Sequence, residues 1–153
     1  MTAMYDLLAA HAFLAGLPPP DLERLSRWAC RVPFGAGARV FEENGPADRF
    51  WLIQEGSVNL DIRVPGRGDL IVETLGPGAV LGWSWRFPPY RWRFGAVAVE
   101  PVLSIAVDGP ATRALCDADP AFGYELTKRL MAVVVDRMQA TRMRLLDLYS
   151  VPT

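Results

Sequence analysis

The residues best able to do chemistry crowd into one stretch, GWSWRFPPYRWRFGA, Gly82 to Ala96. Arg86, Arg91 and Arg93 each carry a guanidinium group, which forms forked, charge-assisted hydrogen bonds to phosphate or carboxylate oxygens. Trp83, Trp85, Tyr90 and Trp92 offer aromatic faces on which a planar group or a cation can stack. Arg91 and Arg93 lie two apart, so on a strand they share one face. The combination suits a small anion, one with a planar part included. It also suits a closed plug, with the rings filling volume and Pro88 and Pro89 stiffening the loop. Both readings stand on the residues alone.

Elsewhere the chemistry thins out. His11 is the only histidine, and no nucleophile motif lies near it, so a Ser/His/Asp triad has no base. A site with two His ligands on one chain is excluded, and with it the several-histidine metal centre of cupin-type enzymes. The chain is therefore expected not to be an enzyme and to hold no metal. His11 reads as a helix-surface residue. Cys30 and Cys116 have no redox or metal-binding spacing and read as buried free thiols, which suit a reducing cytosol. A net charge of −1 gives no basic field for nucleic acid or a membrane surface. No apolar run is long enough to span a bilayer. The start, MTAMYDLLAAHAF, carries Asp6 and no basic leader, so the expected location is cytoplasmic.

Three segments must position the stretch at 82–96, and together they predict one domain over 1–153. Residues 1–31 carry N-terminal helices: Met4, Leu7 and Leu8 recur at helical spacing, and LPPPDLERLSRWAC restarts a helix with prolines and acids in its first turn. Residues 32–107 break into short apolar runs punctuated by glycine, the signature of an antiparallel sandwich or barrel. Val58, Leu60 and Ile62 alternate with polar neighbours, as in a half-buried strand. Residues 110–149 are helical again, with a break at Pro120 and a long helix from about 119.

That long helix is apolar on two faces. Phe122, Leu126, Leu130 and Val133 form one stripe. Tyr124, Met131, Met138 and Leu145, with Thr127, Val134, Thr141 and Leu148, form a heptad seam. The pattern predicts a homodimer packed through Met131, Val134, Met138, Thr141, Leu145 and Leu148, or else one wide stripe facing the domain's own core. Arg137 and Arg142 flank the seam and oppose a parallel pairing.

Helices, then a glycine-punctuated β-roll, then a long helix: this order resembles the cyclic-nucleotide-binding domain of Crp/Fnr-like bacterial regulators, the catabolite-activator and oxygen-regulator type. FLAGLPPPDLERL, GARVFEENGPADRFWLIQEGSVNL and LGPGAVLGW carry the resemblance, with Gly37 and Gly45 at strand ends, Phe50 and Ile53 pointing inward and Gly56 turning a hairpin. It implies a mainly β, jelly-roll fold with flanking helices and a ligand cassette at 76–96. The segment GWSW to PPYRW is similar to a subgroup that stands alone. Since Thr153 follows Tyr149 by four residues, the expectation is a domain without the DNA reader of the regulators, and no direct DNA binding.

The resemblance also assigns roles. In the family a glutamate after a glycine accepts the ribose hydroxyl, an arginine and backbone amides hold the cyclic phosphate, and a small hydroxyl residue assists. Here Gly82 keeps the glycine place, but Trp83 stands where the glutamate should be, and an indole has no acceptor oxygen. Ser84 can offer a hydroxyl and an amide. Arg91 or Arg93 falls near the family's arginine, an ungapped match putting Trp92 there instead. The implied ligand site is thus Gly82, Trp83, Ser84, Arg91 and Arg93. The implied function is a sensor of a small anion, a nucleotide other than ordinary cyclic AMP, signalling through the C-terminal helix to a partner protein. The alternatives are a self-filled interaction module and ordinary cyclic AMP or cyclic GMP binding.

Overall fold

The computed structural model describes residues 3–149. The ends of the expected 1–153 span, residues 1, 2 and 150–153, lie outside the described residues. Among the described residues, eight antiparallel strands form two four-stranded sheets that face each other. One sheet has the order β1 (Ala29–Phe34), β8 (Val102–Asp108), β3 (Arg49–Glu55), β6 (Val80–Leu81). The other has the order β2 (Arg39–Phe41), β7 (Gly95–Ala98), β4 (Val58–Val64), β5 (Gly68–Leu75). This is the jelly roll that the glycine punctuation implied.

Helices close the roll at both chain ends. α1 (Met4–Ala10) and α2 (Pro19–Ser26) precede it, and α3 (Gly109–Ala118) and α4 (Pro120–Tyr149) follow. Pro19 and Pro20 occupy the first turn of α2, where the missing amide costs nothing. Asp108 caps α3 by accepting from the Ala111 amide. The first strand begins at Ala29 rather than at 32. Its register against β8 runs from Ala29–Val107 to Phe34–Val102, so the Trp28 end of the helical segment is already sheet-bound.

β3 is the centre of the core, with Phe50, Trp51, Leu52 and Ile53 all buried. Trp51 stacks on Phe41 at 5.5 Å, and Phe50 stacks on Trp85 at 4.8 Å. A strand buried on both faces reads as a continuous apolar run, and FWLI is one. Gly56 turns the chain from β3 into β4 at φ +87°, and a Cβ there would sit 2.9 Å from Val102 Cα. No side chain fits that turn.

Two single-residue expectations fail. His11 is buried, not on a helix surface: the chain leaves helical geometry at His11 itself, with ψ 135°, and the ring turns inward. Its Nδ1 accepts from the Phe13 amide, so Nε2 carries the proton and donates to the Ile53 carbonyl at 3.0 Å. Burial holds its pKa below the ordinary value. Cys30 is exposed, because β1 is a sheet edge with one face open to solvent, while Cys116 is buried as expected.

Candidate functional site

The cassette runs β6, a single 3-10 turn over Ser84–Arg86, a loop, and β7. Gly82 has φ +94°, and a Cβ on it would lie 2.8 Å from the Trp92 ring. The turn is therefore glycine because an indole lies against its backbone. Trp92 is buried and stacks on Phe41 at 3.9 Å and 13°. The loop is held by backbone bonds to residues 44–47: Asn44 donates to Trp92, Trp92 to Gly45, and Ala47 to Tyr90. Below the loop, Arg113 stands 3.9 Å over the Tyr90 ring and donates to the Trp85 carbonyl at 2.6 Å.

Arg91 and Arg93 lie in the loop before β7 and not on a strand as expected; both are exposed, while Trp92 between them is buried. Arg91 reaches the Asn44 carbonyl at 3.3 Å. Arg86 takes a third direction, its Nε donating to Thr127 Oγ1 on α4 at 3.3 Å, in a groove that also holds Cys116, Tyr124 and Lys128. Gly82, Trp83 and Ser84 stay together at the cassette turn. Arg91 and Arg93 do not join them around an internal space. Ser84 is buried, and its Oγ has no hydrogen-bond partner among the described residues.

Trp83 walls a different space. Leu60, Val72, Glu73, Trp83 and Phe94 from the roll face Val134, Arg137, Met138 and Thr141 of α4 across a cavity of about 240 Å³. Trp83 and Phe94 meet edge to face at 6.2 Å. Arg137 is the guanidinium of this cavity. Its Nη2 donates to the Val80 carbonyl, its Nε lies 3.8 Å from a Glu73 carboxylate oxygen, and its Nη1 is buried with no partner among the described residues. Burial disfavours the charged form of Arg137, and Glu73 offsets part of that effect.

α4 divides by burial. Phe122, Leu126 and Leu130 are fully buried against the domain, whereas Tyr124, Met131, Met138, Leu145 and Leu148 are exposed. Val134 is half-buried over the cavity, and Thr141 is exposed. The two-faced pattern read from the sequence is present on the helix. Of the two arginines expected to flank the seam, Arg142 is exposed and Arg137 is turned away, as is Arg144. Arg137 and Arg144 turn back to the roll, Arg144 donating to the carbonyl of Val72. The β4–β5 register skips Val72, and the extra residue of such a bulge is left out of the ladder.

A two-sheet roll with a strand–turn–strand cassette under a long helix is the architecture of a small-ligand-binding β-roll domain. The chain belongs to the Cyclic nucleotide-binding domain family, whose pattern matches residues 31–119. It is 27% identical over 145 residues to a CRP-like cAMP-activated global transcriptional regulator of Mycobacterium tuberculosis, covering 95% of this chain and 63% of that one. The chain thus spans less than two thirds of the length of the curated relative it matches. A Geobacter metallireducens structure assigned to cyclic nucleotide binding is 28% identical, with a TM-score of 0.80 over 90% of this chain and 99% of that chain. A cyclic nucleotide-binding domain from Methylobacillus flagellatus shares the fold, with a TM-score of 0.78 over 98% of this chain and 84% of that one, at 18% identity.

Sequence reasoning missed Arg137 and Glu73. The signal for Arg137 was present: it continues the buried stripe Leu126, Leu130, Val133 at helical spacing, an arginine where the period calls for a core residue. Among the described residues no helix is long and apolar enough to cross a membrane.

Proposed function

We propose that the chain is a regulatory domain that senses a small anion in the cavity between Trp83 and α4, binds ordinary cyclic AMP poorly, and passes the change to a partner through α4. One observation carries the reading: Trp83 of the cassette and Arg137 of α4 line one pocket, so a single space joins the cassette turn to a guanidinium on the helix. An anion in that space would gain a charge-assisted interaction with the guanidinium. Arg137 belongs to α4 and also bonds the Val80 carbonyl, so a ligand that engages it acts on the helix directly. Gly82 and Ser84 flank Trp83 at the cassette turn, while the exposed Arg91 and Arg93 are not assigned to this site. Against cyclic AMP stands the missing acceptor at Trp83, since an indole offers no oxygen to a ribose hydroxyl.

The exposed stripe Met131, Met138, Leu145 and Leu148 supports the homodimer reading, with Val134 and Thr141 at its margin. A self-filled interaction module is the second reading, favoured by the aromatic lining of so small a cavity. A thermal-shift series with cyclic AMP, cyclic GMP, acetate and phosphate separates the two. A site-specific anion at a hundred times its Kd stabilises by about 2.7 kcal/mol, and Arg137→Ala abolishes the shift. If no anion stabilises the protein, the self-filled module is the function. Low-micromolar cyclic AMP binding by calorimetry would overturn the first reading.

A further inference from the structure

His11 is the only histidine of the chain, and it is buried. Its ring lies between two backbone groups of opposite kind. The Phe13 amide meets Nδ1 at 3.2 Å, and Nε2 meets the Ile53 carbonyl at 3.0 Å. An amide only donates and a carbonyl only accepts, so these partners admit one form of the ring, neutral with its proton on Nε2. A second proton, on Nδ1, would set two N–H groups against each other and place a charge where burial disfavours it. Facing the turn are Glu73, Asp136 and Arg137 across the groove it borders, and Arg129 with its partner Glu125. Asp6 of α1 and Arg49 and Glu55 of β3 are the charged groups on the elements that hold the ring. Among the described residues none of these forms an ion pair with His11, and the influences on its proton are burial and the Ile53 carbonyl.

The 3-10 turn that His11 caps, Ala12–Leu14, is also where the N-terminal segment meets α4. Arg129 donates to the Phe13 carbonyl at 2.9 Å and to the Ala15 carbonyl at 2.7 Å, while its Nε donates to Glu125 at 3.2 Å. The Ile53 carbonyl that takes the ring also takes the Gly78 amide at 2.9 Å, on the approach to β6 and the cassette. One imidazole therefore joins the roll to the turn and, through Arg129, to the helix. Leu14 and Leu17 are buried and keep the segment docked when the ring lets go, so the change is a loosening and not an unfolding.

We propose that His11 is a proton-operated pin: a second proton on the ring expels it from between Phe13 and Ile53, loosens the Ala12–Leu14 turn and slackens its hold on Arg129 of α4, so that the domain responds to mild acidification. The pin is independent of the anion reading and needs no ligand. A released ring titrates at the ordinary 6.5, whereas burial holds the closed ring below that value. Between pH 7.5 and 5.5 the loosened form should therefore gain about tenfold over the closed one. The test is NMR of the full chain across that range. With a single histidine in the sequence, the ring nitrogen shifts report His11 alone, and at pH 7.5 they should show the proton on Nε2. Residue-resolved amide exchange, corrected for the intrinsic effect of pH, should rise by the same factor at Phe13 and Leu14, and should rise in α4 between Leu130 and Arg137. His11→Gln, neutral throughout, should abolish both rises. Arg129→Gln should keep the first and abolish the second. A proton on Nδ1 at pH 7.5, a turn response that persists in His11→Gln, or a response confined to the turn in the wild type overturns the proposal. If either variant fails to fold, the wild-type ring decides: titration below 6.5, in step with Phe13 exchange, supports the pin, and titration at or above 6.5 overturns it.

Discussion

Replacing Trp83 tests whether the indole stands where a nucleotide sugar would lie. The side chain is half-buried, walls the cavity, and makes edge contacts to Phe87 at 6.3 Å and Phe94 at 6.2 Å. Trp83→Glu removes the bulk and supplies an acceptor. Trp83→Ala removes the bulk alone. A buried hydroxyl left without a partner costs about 1–3 kcal/mol, so the acceptor alone is worth about five- to 150-fold in cyclic AMP affinity. Losing two aromatic contacts of about 0.5–1.5 kcal/mol each lowers the stability of both variants by about 1–3 kcal/mol, to be confirmed by urea unfolding. Calorimetry with cyclic AMP on the wild type and both variants separates the contributions. We expect no measurable heat with wild type, a weak gain with Trp83→Ala and a gain at least fivefold larger with Trp83→Glu. Equal affinities for the two variants would show that the block is purely steric. If neither variant gains over wild type, Trp83 is not at the sugar position and the assignment of the cassette is wrong.

Two further predictions concern stability and assembly. The folded pKa of His11 lies below its ordinary value of 6.5, so the unfolded chain takes up this proton first. The stability it supports is complete above about pH 6.5 and is lost as pH falls through the folded value. Urea midpoints at pH 7.5 and 5.5 should drop more for wild type than for His11→Gln, which can still donate to Ile53, and an equal drop would remove the histidine from the account. Leu145→Glu, on the exposed face of α4 and away from the cavity lining, should give monomers by sedimentation at concentrations where wild type is dimeric, since burying opposed carboxylates costs several kcal/mol. A wild type that is already monomeric at tens of micromolar, about the range of weak interfaces, would refute the seam.

The parts legible in the sequence were those where one physical rule acts alone. Glycines at short intervals marked the turns of the roll, and one of them, Gly56, is required by a backbone approach that nothing else could satisfy. The two stripes of α4 were visible because a helix repeats its faces over 30 residues. His11 was not legible, because its burial depends on a carbonyl 42 residues away on β3. Arg91 and Arg93 were not legible because they lie in a loop, where no strand alternation acts, and the Trp92 between them is buried in its stack on Phe41. Arg137 broke the apolar period of its helix, yet its partners, Val80 and Glu73, come from strands whose place beneath the helix no local pattern records.

Arg137 and Arg144 are seven residues apart on α4, two turns or about 10 Å along the axis. Both grip main-chain carbonyls, of Val80 and Val72. A carbonyl is present whatever side chain its residue bears, so these two bonds place no demand on the identity of residues 72 and 80. The N-terminal part of α4 is fastened by Phe122, Leu126 and Leu130 to the core; beyond Val133 the helix rests largely on these two pegs. Lifting the outer half would exchange two guanidinium–carbonyl bonds for bonds to water and uncover the cavity rim, while the hydrophobic core stayed closed. The outer half of this helix and the core of the fold are held by separate sets of residues.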